Sequence, residues 1–261
     1  MKITIIGAGN MGGATALGIL KSKFVDAANL TVADPMSSKL KVFEDAGAHT
    51  EEDNSVAVRH ADIVMVFVKP WLVEPVLKGI KQSLDYTQQM LGVVAAGVSS
   101  EKINSWLEKE DTEMLPLFMA IPNIAISELS SMTFLVPVNA DDEQTATVKA
   151  LFNAMGDTLV VEERLLAAGT TLASCGLAYA MRYVRAAAEG GVELGFRPDD
   201  AKNIVLQTVK GAVELLEANG NHPEAEIDKV TTPGGVTIRG LNEMEHAGFT
   251  SAVIRGLKAG L

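Results

Sequence analysis

Over the first 160 positions, apolar residues gather in short runs separated by longer stretches with helical spacing. The runs are Ile3–Ile6, Leu30–Ala33, Ile63–Val68 and Leu91–Ala95. The third reads IVMVFV, with no polar position, as expected of a strand covered on both faces. Between the runs, Met11–Leu20, Ser37–Ala46, Trp71–Ile80 and Ser100–Leu107 repeat their apolar residues at helical intervals. Strands alternating with helices predict a doubly wound parallel sheet with right-handed crossovers.

The pattern changes after Val161. Helical spacing runs through Leu165–Leu194 and Ala201–Leu216, and no convincing strand remains. Gly195–Asp200 reads GFRPDD, in which glycine ends one helix and Asp199 or Asp200 caps the next. A second breaker lies at Asn219–Pro223. The last forty residues hold a Thr-Pro-Gly-Gly turn and then two short helices. The fold class expected is therefore α/β: a Rossmann-type sheet domain over 1–162, then an all-helical domain over 163–261. Leu165–Met181 carries no charge but holds Gly169, Thr170, Thr171, Ser174 and Gly176. A membrane span needs about 20 predominantly apolar residues. The stretch reads as a helix buried in protein, in a subunit interface.

The first run leads straight into Gly7-Ala8-Gly9-Asn10-Met11-Gly12. A bare G-x-G-x-x-G is weak evidence. After a strand and at the start of a helix, it has the context that a dinucleotide fingerprint requires. Gly7 permits the tight turn, Gly9 the approach of a pyrophosphate, and Gly12 the packing of helix on strand. The helix N-terminus then offers unpaired N–H groups to the phosphates. A strand–turn–helix that merely tolerates glycine is the alternative. The second run ends in Val32-Ala33-Asp34-Pro35. An acidic residue there takes the ribose hydroxyls of NAD, while Ser37, Ser38 and Lys39 can cradle the extra phosphate of NADP, so both cofactors stay open; an Asp34 and Pro35 that only cap a turn are the alternative. Lys69 follows the buried strand at the edge where ligands bind. Asn54 suits either the adenosine end of the cofactor or an N-cap before Ser55–His60.

Near the other end, Thr231-Thr232-Pro233-Gly234-Gly235-Val236-Thr237 enters a helix that continues through Leu241 to Glu245, Gly248 and Phe249. A Pro-Gly-Gly turn at a helix start exposes backbone N–H groups able to hold a carboxylate. Thr237 adds a hydroxyl in the first turn.

The 22 Lys and Arg against 33 Asp and Glu give a net charge of -11. That balance opposes nonspecific binding to nucleic acid or to anionic membranes. The one cysteine, Cys175, excludes an intrachain disulfide and suits a reducing compartment, the cytoplasm. It reads as a small buried apolar group. The four histidines, His49, His60, His222 and His246, show no metal spacing.

The C-terminal segment resembles the signature of the pyrroline-5-carboxylate reductase family, Ser/Thr-Pro-Gly-Gly-x-Thr followed by Leu, Glu and Gly-Phe. The resemblance covers nearly the whole chain: GAGNMG at 7–12, Val68-Lys69-Pro70, Ala95-Ala96-Gly97, Pro122-Asn123, Ala178-Tyr179, and Gln207-Thr208 with Gly211 all fall in the family's order. It implies hydride transfer from a nicotinamide to a five-membered cyclic imine, the last step of proline biosynthesis, by a homodimer or a higher oligomer of dimers. It implies a helical dimerisation domain. It places Gly7–Gly12, Asp34, Asn54, Val68, Lys69, Pro70, Ala96 and Gly97 at NADP or NAD, and Thr232, Gly234, Gly235, Val236 and Thr237 at the substrate. Thr237 resembles the residue beside the ring nitrogen. A threonine hydroxyl is a poor acid near neutral pH, so its role is hydrogen bonding and orientation.

Three positions depart from the family pattern. Ile121-Pro122-Asn123-Ile124-Ala125 stands where the family has Met-Pro-Asn-Thr-Pro, and Phe118–Ala120 supply no arginine before it. Ser174-Cys175-Gly176-Leu177-Ala178 replaces Gly-Ser-Gly-Pro-Ala. Lys229 precedes Val230 where many members have an uncharged residue. A reductase of another cyclic imine or a small 2-oxo acid, or a cofactor-sensing paralogue without catalysis, are the alternatives these leave.

Overall fold

The computed structural model describes residues 1–110 and 112–261. They divide into two compact units, Met1–Ser174 and Cys175–Leu261.

The first unit is built on one eight-stranded sheet. Its strands are β1 (Ile3–Ile6), β2 (Leu30–Ala33), β3 (His49–Glu51), β4 (Ile63–Val66), β5 (Met90–Val93), β6 (Leu117–Ile121), β7 (Ser131–Val138) and β8 (Gly156–Val160). The order is β3-β2-β1-β4-β5-β6-β7-β8. Strands β1 to β6 pair in parallel, and β7 runs antiparallel to β6 and parallel to β8. The sheet is therefore mixed, though mostly parallel. Its helices are α1 (Asn10–Ser22), α2 (Lys41–Asp45), α3 (Asn54–Ala57), α4 (Pro70–Ile80), α5 (Ser100–Leu107), α6 (Asp142–Asn153) and α7 (Leu166–Gly169).

Residues that alternate along each strand feed two separate cores. Ile3, Ile5, Val32, Ile63, Met65 and Phe118 pack with Ala16 and Ile19 of α1 and with Val148, Leu151 and Phe152 of α6. Ile6, Ala33, Val64, Val66, Leu91 and Val93 pack with Val73 and Leu77 of α4 and Ile103 and Leu107 of α5. Helices thus cover both faces, which is why the strands read as unbroken apolar runs. Each fully buried side chain of this size contributes about 1.5–3 kcal/mol against exposure. The sheet is held firmly enough to fix the loops at its edge.

Strand β4 ends at Val66, two residues before its apolar run does, and β5 spans Met90–Val93 rather than Leu91–Ala95. The stretch expected as one helix over Ser37–Ala46 is a 3-10 turn, Ser37–Lys39, followed by the short α2.

The helical stretch after residue 162 begins on the first unit. Leu166 is buried with Met119, Ile121 and Phe134. A Cβ on Gly169 would strike the Phe134 ring, so the absent side chain lets α7 lie on the sheet. Thr170–Cys175 then forms a π-helical turn that interrupts the expected continuous helix.

The second unit holds α8 (Gly176–Glu193), α9 (Pro198–Asn219), α10 (Pro223–Lys229), α11 (Val236–His246) and α12 (Phe249–Ala259). Neither Asp199 nor Asp200 caps α9. The N-cap is Arg197, Pro198 takes the first helical position, and the two aspartates sit in the first turn. There they complement the helix dipole instead of its end groups. Of these five helices only Ala201 is buried. Met181, Leu194, Val236 and Ile254 are all more than half exposed. Among the described residues no helix is long and apolar enough to cross a membrane.

Candidate functional site

The parallel strands end in loops that backbone hydrogen bonds stitch side by side. The N–H of Asp34 donates to Glu51 O (3.2 Å), that of Gly7 to Ala33 O (2.7 Å), that of Phe67 to Ile6 O (2.7 Å) and that of Val94 to Val66 O (2.9 Å). These bonds bring Asp34, the Gly7–Gly12 loop, Val68-Lys69-Pro70 and Ala95-Ala96-Gly97 to one edge of the sheet. Strand order reverses at β1, which has β2 on one side and β4 on the other. In open α/β sheets a ligand crevice opens at such a switch point, beyond the carboxyl ends of the strands.

The three glycines of the loop each meet a separate demand. Gly7 has φ +97°, and a Cβ there would collide with the Phe67 carbonyl. Gly12 is buried in α1, where a Cβ would overlap the Gly7 carbonyl. Gly9 is exposed, with no atom within 4 Å of where its Cβ would lie. The first two glycines shape the turn, and the third leaves space beside it. Gly9 is also the N-cap of α1, without a capping side chain, and the first turn holds no acid. The N–H groups of Asn10, Met11 and Gly12 therefore point out of the helix without intrahelical partners. Open space facing free donors fits a pyrophosphate.

Along the other wall, Val68 is half-buried against the second core, while Lys69 and Pro70 are exposed. Lys69 is the N-cap of α4 and Pro70 its first residue. Ala96 and Gly97 are exposed, and Gly97 turns the chain at φ +77° with open space at its Cβ position. Asn54 is not the N-cap of α3. Asp53 is, its carboxylate accepting from the Ser55 N–H at 2.7 Å. Asn54 is the first helical residue, and its Oδ1 is buried without a partner among the described residues. A buried acceptor left without a partner is costly, so it is a candidate contact for a ligand group.

Asp34 is buried, and its carboxylate is already engaged. Oδ2 accepts from the Ala8 N–H inside the glycine loop (2.9 Å), Oδ1 accepts from the Met36 N–H (3.0 Å), and Lys39 forms an ion pair with it.

The predicted substrate residues all fall in the second unit. The N–H of Gly235 donates to Thr232 O at 2.9 Å, closing the turn, and Gly234 occupies it at φ +70°. Gly235 is the N-cap of α11, with no side-chain cap and no acid in the first turn. Val236 and Thr237 are the first two helical residues, both exposed. This geometry presents free N–H groups and one hydroxyl to an incoming anion. Lys229, one of the three departures, is the last residue of α10. Its Nζ donates to Glu226 Oε1 at 2.6 Å, and Asn221 donates to the same oxygen at 2.7 Å. Those two contacts hold the Glu226 carboxyl below its ordinary range, Lys229 contributing most.

Two long-range contacts at this edge had no local signal in the sequence, although the Pro122-Asn123 pair itself falls in the family's order. Glu163 accepts from the N–H (2.9 Å) and the hydroxyl (2.5 Å) of Ser100, the first residue of α5 after its N-cap Ser99. Sixty-three residues separate the partners, so no local motif marks them. Asn123 is buried: its Oδ1 accepts from the Ala125 N–H (3.0 Å), and its Nδ2 donates to Ala173 O (3.5 Å). Ser174 donates to Pro122 O at 3.2 Å. The Pro-Asn pair thus fastens the π-helical turn to the end of β6. Among the described residues no three His, Cys, Asp or Glu gather into a metal site. Cys175 is partly exposed, not buried.

A glycine loop at the switch point of a mostly parallel sheet, with a helical unit appended, defines the class: a Rossmann-type dinucleotide-binding protein. Residues 2–97 match the family model described as NADP oxidoreductase, coenzyme F420-dependent, and residues 163–261 match pyrroline-5-carboxylate reductase dimerisation. Pyrroline-5-carboxylate reductase 2 of Dictyostelium discoideum is 34% identical over 98% of this chain and 89% of its own length. Pyrroline-5-carboxylate reductase 1 of the same organism is 40% identical over 98% of this chain, which spans only 48% of that relative. The crystal structure of Plasmodium falciparum pyrroline carboxylate reductase with NADP bound superposes with a TM-score of 0.87 at 25% identity, covering 100% of this chain and 95% of that one. The chain belongs to the pyrroline-5-carboxylate reductase family of NAD(P)H-dependent oxidoreductases and carries its dimerisation region.

Proposed function

We propose that this protein reduces 1-pyrroline-5-carboxylate to L-proline with NADPH or NADH, as the last step of proline biosynthesis in the cytoplasm. The observation that carries the reading is the uncapped start of α11, where Gly235 leaves free N–H groups beside an exposed Thr237. A cyclic imino acid has one carboxylate and one ring nitrogen, and this turn offers donors for the first and a hydroxyl for the second.

Reduced nicotinamide, when bound, supplies the hydride for the ring carbon of the C=N bond. The chain supplies position and electrostatics. The N–H groups of Asn10, Met11 and Gly12, reached past Gly9, hold the pyrophosphate, with Gly7 and Ala8 shaping the turn. Asp34 and Asn54 lie toward the adenosine end, and Val68, Lys69, Pro70, Ala96 and Gly97 form the opposite wall. Backbone donors around Gly234, Gly235 and Val236, with Thr232 behind the turn, take the substrate carboxylate. Thr237 Oγ1 holds the ring nitrogen, and the proton comes from water or from an imine already protonated. Residues 1–162 serve the cofactor, and 163–261 serve dimerisation and the substrate. The experiment is reduction of 1-pyrroline-5-carboxylate by the purified protein, with L-proline as the product scored.

The same helical unit supports a homodimer, or a higher oligomer of dimers. An apolar groove of about 520 Å³ runs between Tyr179, Tyr183, Met244, Phe249 and Val253, and the helices bury almost nothing by themselves. Apolar surface of this extent marks an interface. Light scattering at micromolar concentration should give twice the chain mass or an even multiple of it. A stable monomer would sink the proposal.

A further inference from the structure

The turn at 231–235 is delivered by α10, a helix of seven residues, none of them buried. A helix this short is marginal without outside support, and apolar packing within the unit supplies little of it. One carboxylate supplies the rest. The side chain of Glu226 is 12% exposed and accepts from three donors. Asn219 Nδ2 reaches Oε2 at 3.1 Å, while Asn221 Nδ2 (2.7 Å) and Lys229 Nζ (2.6 Å) share Oε1. Asn219 is the last residue of α9, Asn221 lies in the joint after it, and Lys229 is the last residue of α10. Glu226 thus ties the end of α10 to the end of α9.

From there a run of hydrogen bonds leads into the turn. Ile227 O accepts from the Val230 N–H (3.1 Å) and the Thr231 hydroxyl (2.7 Å), and Asp228 O accepts from the Thr231 N–H (3.1 Å). Thr232 O then accepts from Gly235, the N-cap of α11. The direction of the turn therefore follows α10, and α10 follows Glu226. Lys229 stands next to the turn, where its ammonium could instead meet the substrate carboxylate. At 2.6 Å from Glu226 it is already engaged, as closely as charged hydrogen bonds come. We propose that Glu226 and Lys229 are a positioning pair that aims the substrate turn, and that Lys229 is not a counter-ion of the substrate. This rests on the reading of that turn as the carboxylate site.

The two roles predict opposite signs for one substitution. Glu226→Gln keeps one acceptor oxygen where three donors converge, and adds an amide of its own among them. If the pair aims the turn, KM for 1-pyrroline-5-carboxylate should rise. If Lys229 were the counter-ion, the same change would free its ammonium for the carboxylate, and KM should fall. The test is steady-state kinetics of the intact protein, Glu226→Gln, Lys229→Met and Lys229→Arg at saturating dinucleotide, each checked for folding by circular dichroism. Calorimetric titration of the dinucleotide runs beside it. Glu226→Gln and Lys229→Met should each raise KM roughly tenfold, the equivalent of one charged hydrogen bond. Lys229→Arg keeps the pair and should stay within about twofold. A carboxylate held alike in ground and transition states puts the loss into KM, so kcat and dinucleotide affinity should hardly move. A lower KM in Glu226→Gln overturns the proposal, and so does an unchanged KM in Glu226→Gln or in Lys229→Met. If Glu226→Gln does not fold, Glu226→Asp, whose carboxylate falls short of Lys229, decides by the same sign. Wild type that binds dinucleotide but leaves 1-pyrroline-5-carboxylate unreduced would refute the substrate reading itself, and this proposal with it.

Discussion

Replacing Gly9 with valine is expected to lower cofactor affinity at least a hundredfold and leave the fold intact. Gly9 has φ -73° and ψ -171°, which valine adopts without strain, and nothing stands within 4 Å of its Cβ position. An exposed substitution free of clashes usually changes stability by about 0.5 kcal/mol or less. The same branched side chain fills the space through which a pyrophosphate reaches the N–H groups of α1. Each charged hydrogen bond lost is worth about 1.5–3 kcal/mol, so losing two gives roughly a hundredfold or more. Gly12→Val makes the contrast, because its Cβ would overlap the Gly7 carbonyl and the unfolding midpoint should fall with the binding. Calorimetric titration alongside thermal melting checks both. Unchanged binding by Gly9→Val would remove the loop from the cofactor site.

Thr237→Ala should lose about ten- to a hundred-fold in turnover, the rate equivalent of a 1.5–3 kcal/mol hydrogen bond to a charged group. Thr237 is the second residue of α11, exposed, and not needed as a cap, so alanine keeps the helix. Thr237→Ser keeps a hydroxyl but loses the branching that restricts its rotamer. Orientation as the role predicts the order threonine, serine, alanine in turnover, with cofactor affinity barely altered. Stopped-flow or steady-state turnover at saturating cofactor reads this order. Equal, near-native rates for all three would take Thr237 out of the mechanism and leave only the backbone turn.

Much of the sheet was legible because buried parallel strands write continuous apolar runs. Ile3–Ile6 and Leu30–Ala33 are found as strands with those bounds. The far side of the sheet left weaker marks. Strand β7 contains Pro137, which argues against a central strand by itself; it is tolerated because the register with β8 stops at Leu135. Strand β8 is largely exposed and opens on glycine, so it lacks an apolar signature. Helix α6 buries only Val148, Leu151 and Phe152, too narrow an apolar face to mark it in the hydrophobic pattern. The π-helical turn at Thr170–Cys175 depends on contacts with Pro122 and Asn123, fifty residues away, which no local pattern encodes.

The candidate site divides in the same way. Gly7 and Gly12 were readable because each answers a steric demand that only glycine meets, and Gly9 because its missing side chain leaves open space beside them. The contacts of Asp34 were not, since they depend on the positions of Ala8 and Met36 in space. Nor was the bond from Lys229 to Glu226 at the end of α10, which the departure from the family pattern did not announce.

The measurement closest to the central claim follows the hydride itself. The protein is incubated with 1-pyrroline-5-carboxylate and a reduced nicotinamide dinucleotide deuterated at C4 on the transferred face. The proline formed is then read by mass spectrometry and NMR. The account predicts L-proline carrying one deuterium, on the ring carbon next to nitrogen and away from the carboxylate, with one dinucleotide oxidised per proline. Failure to form proline with either NADPH or NADH, while a different cyclic imine or 2-oxo acid takes up the label, would contradict it.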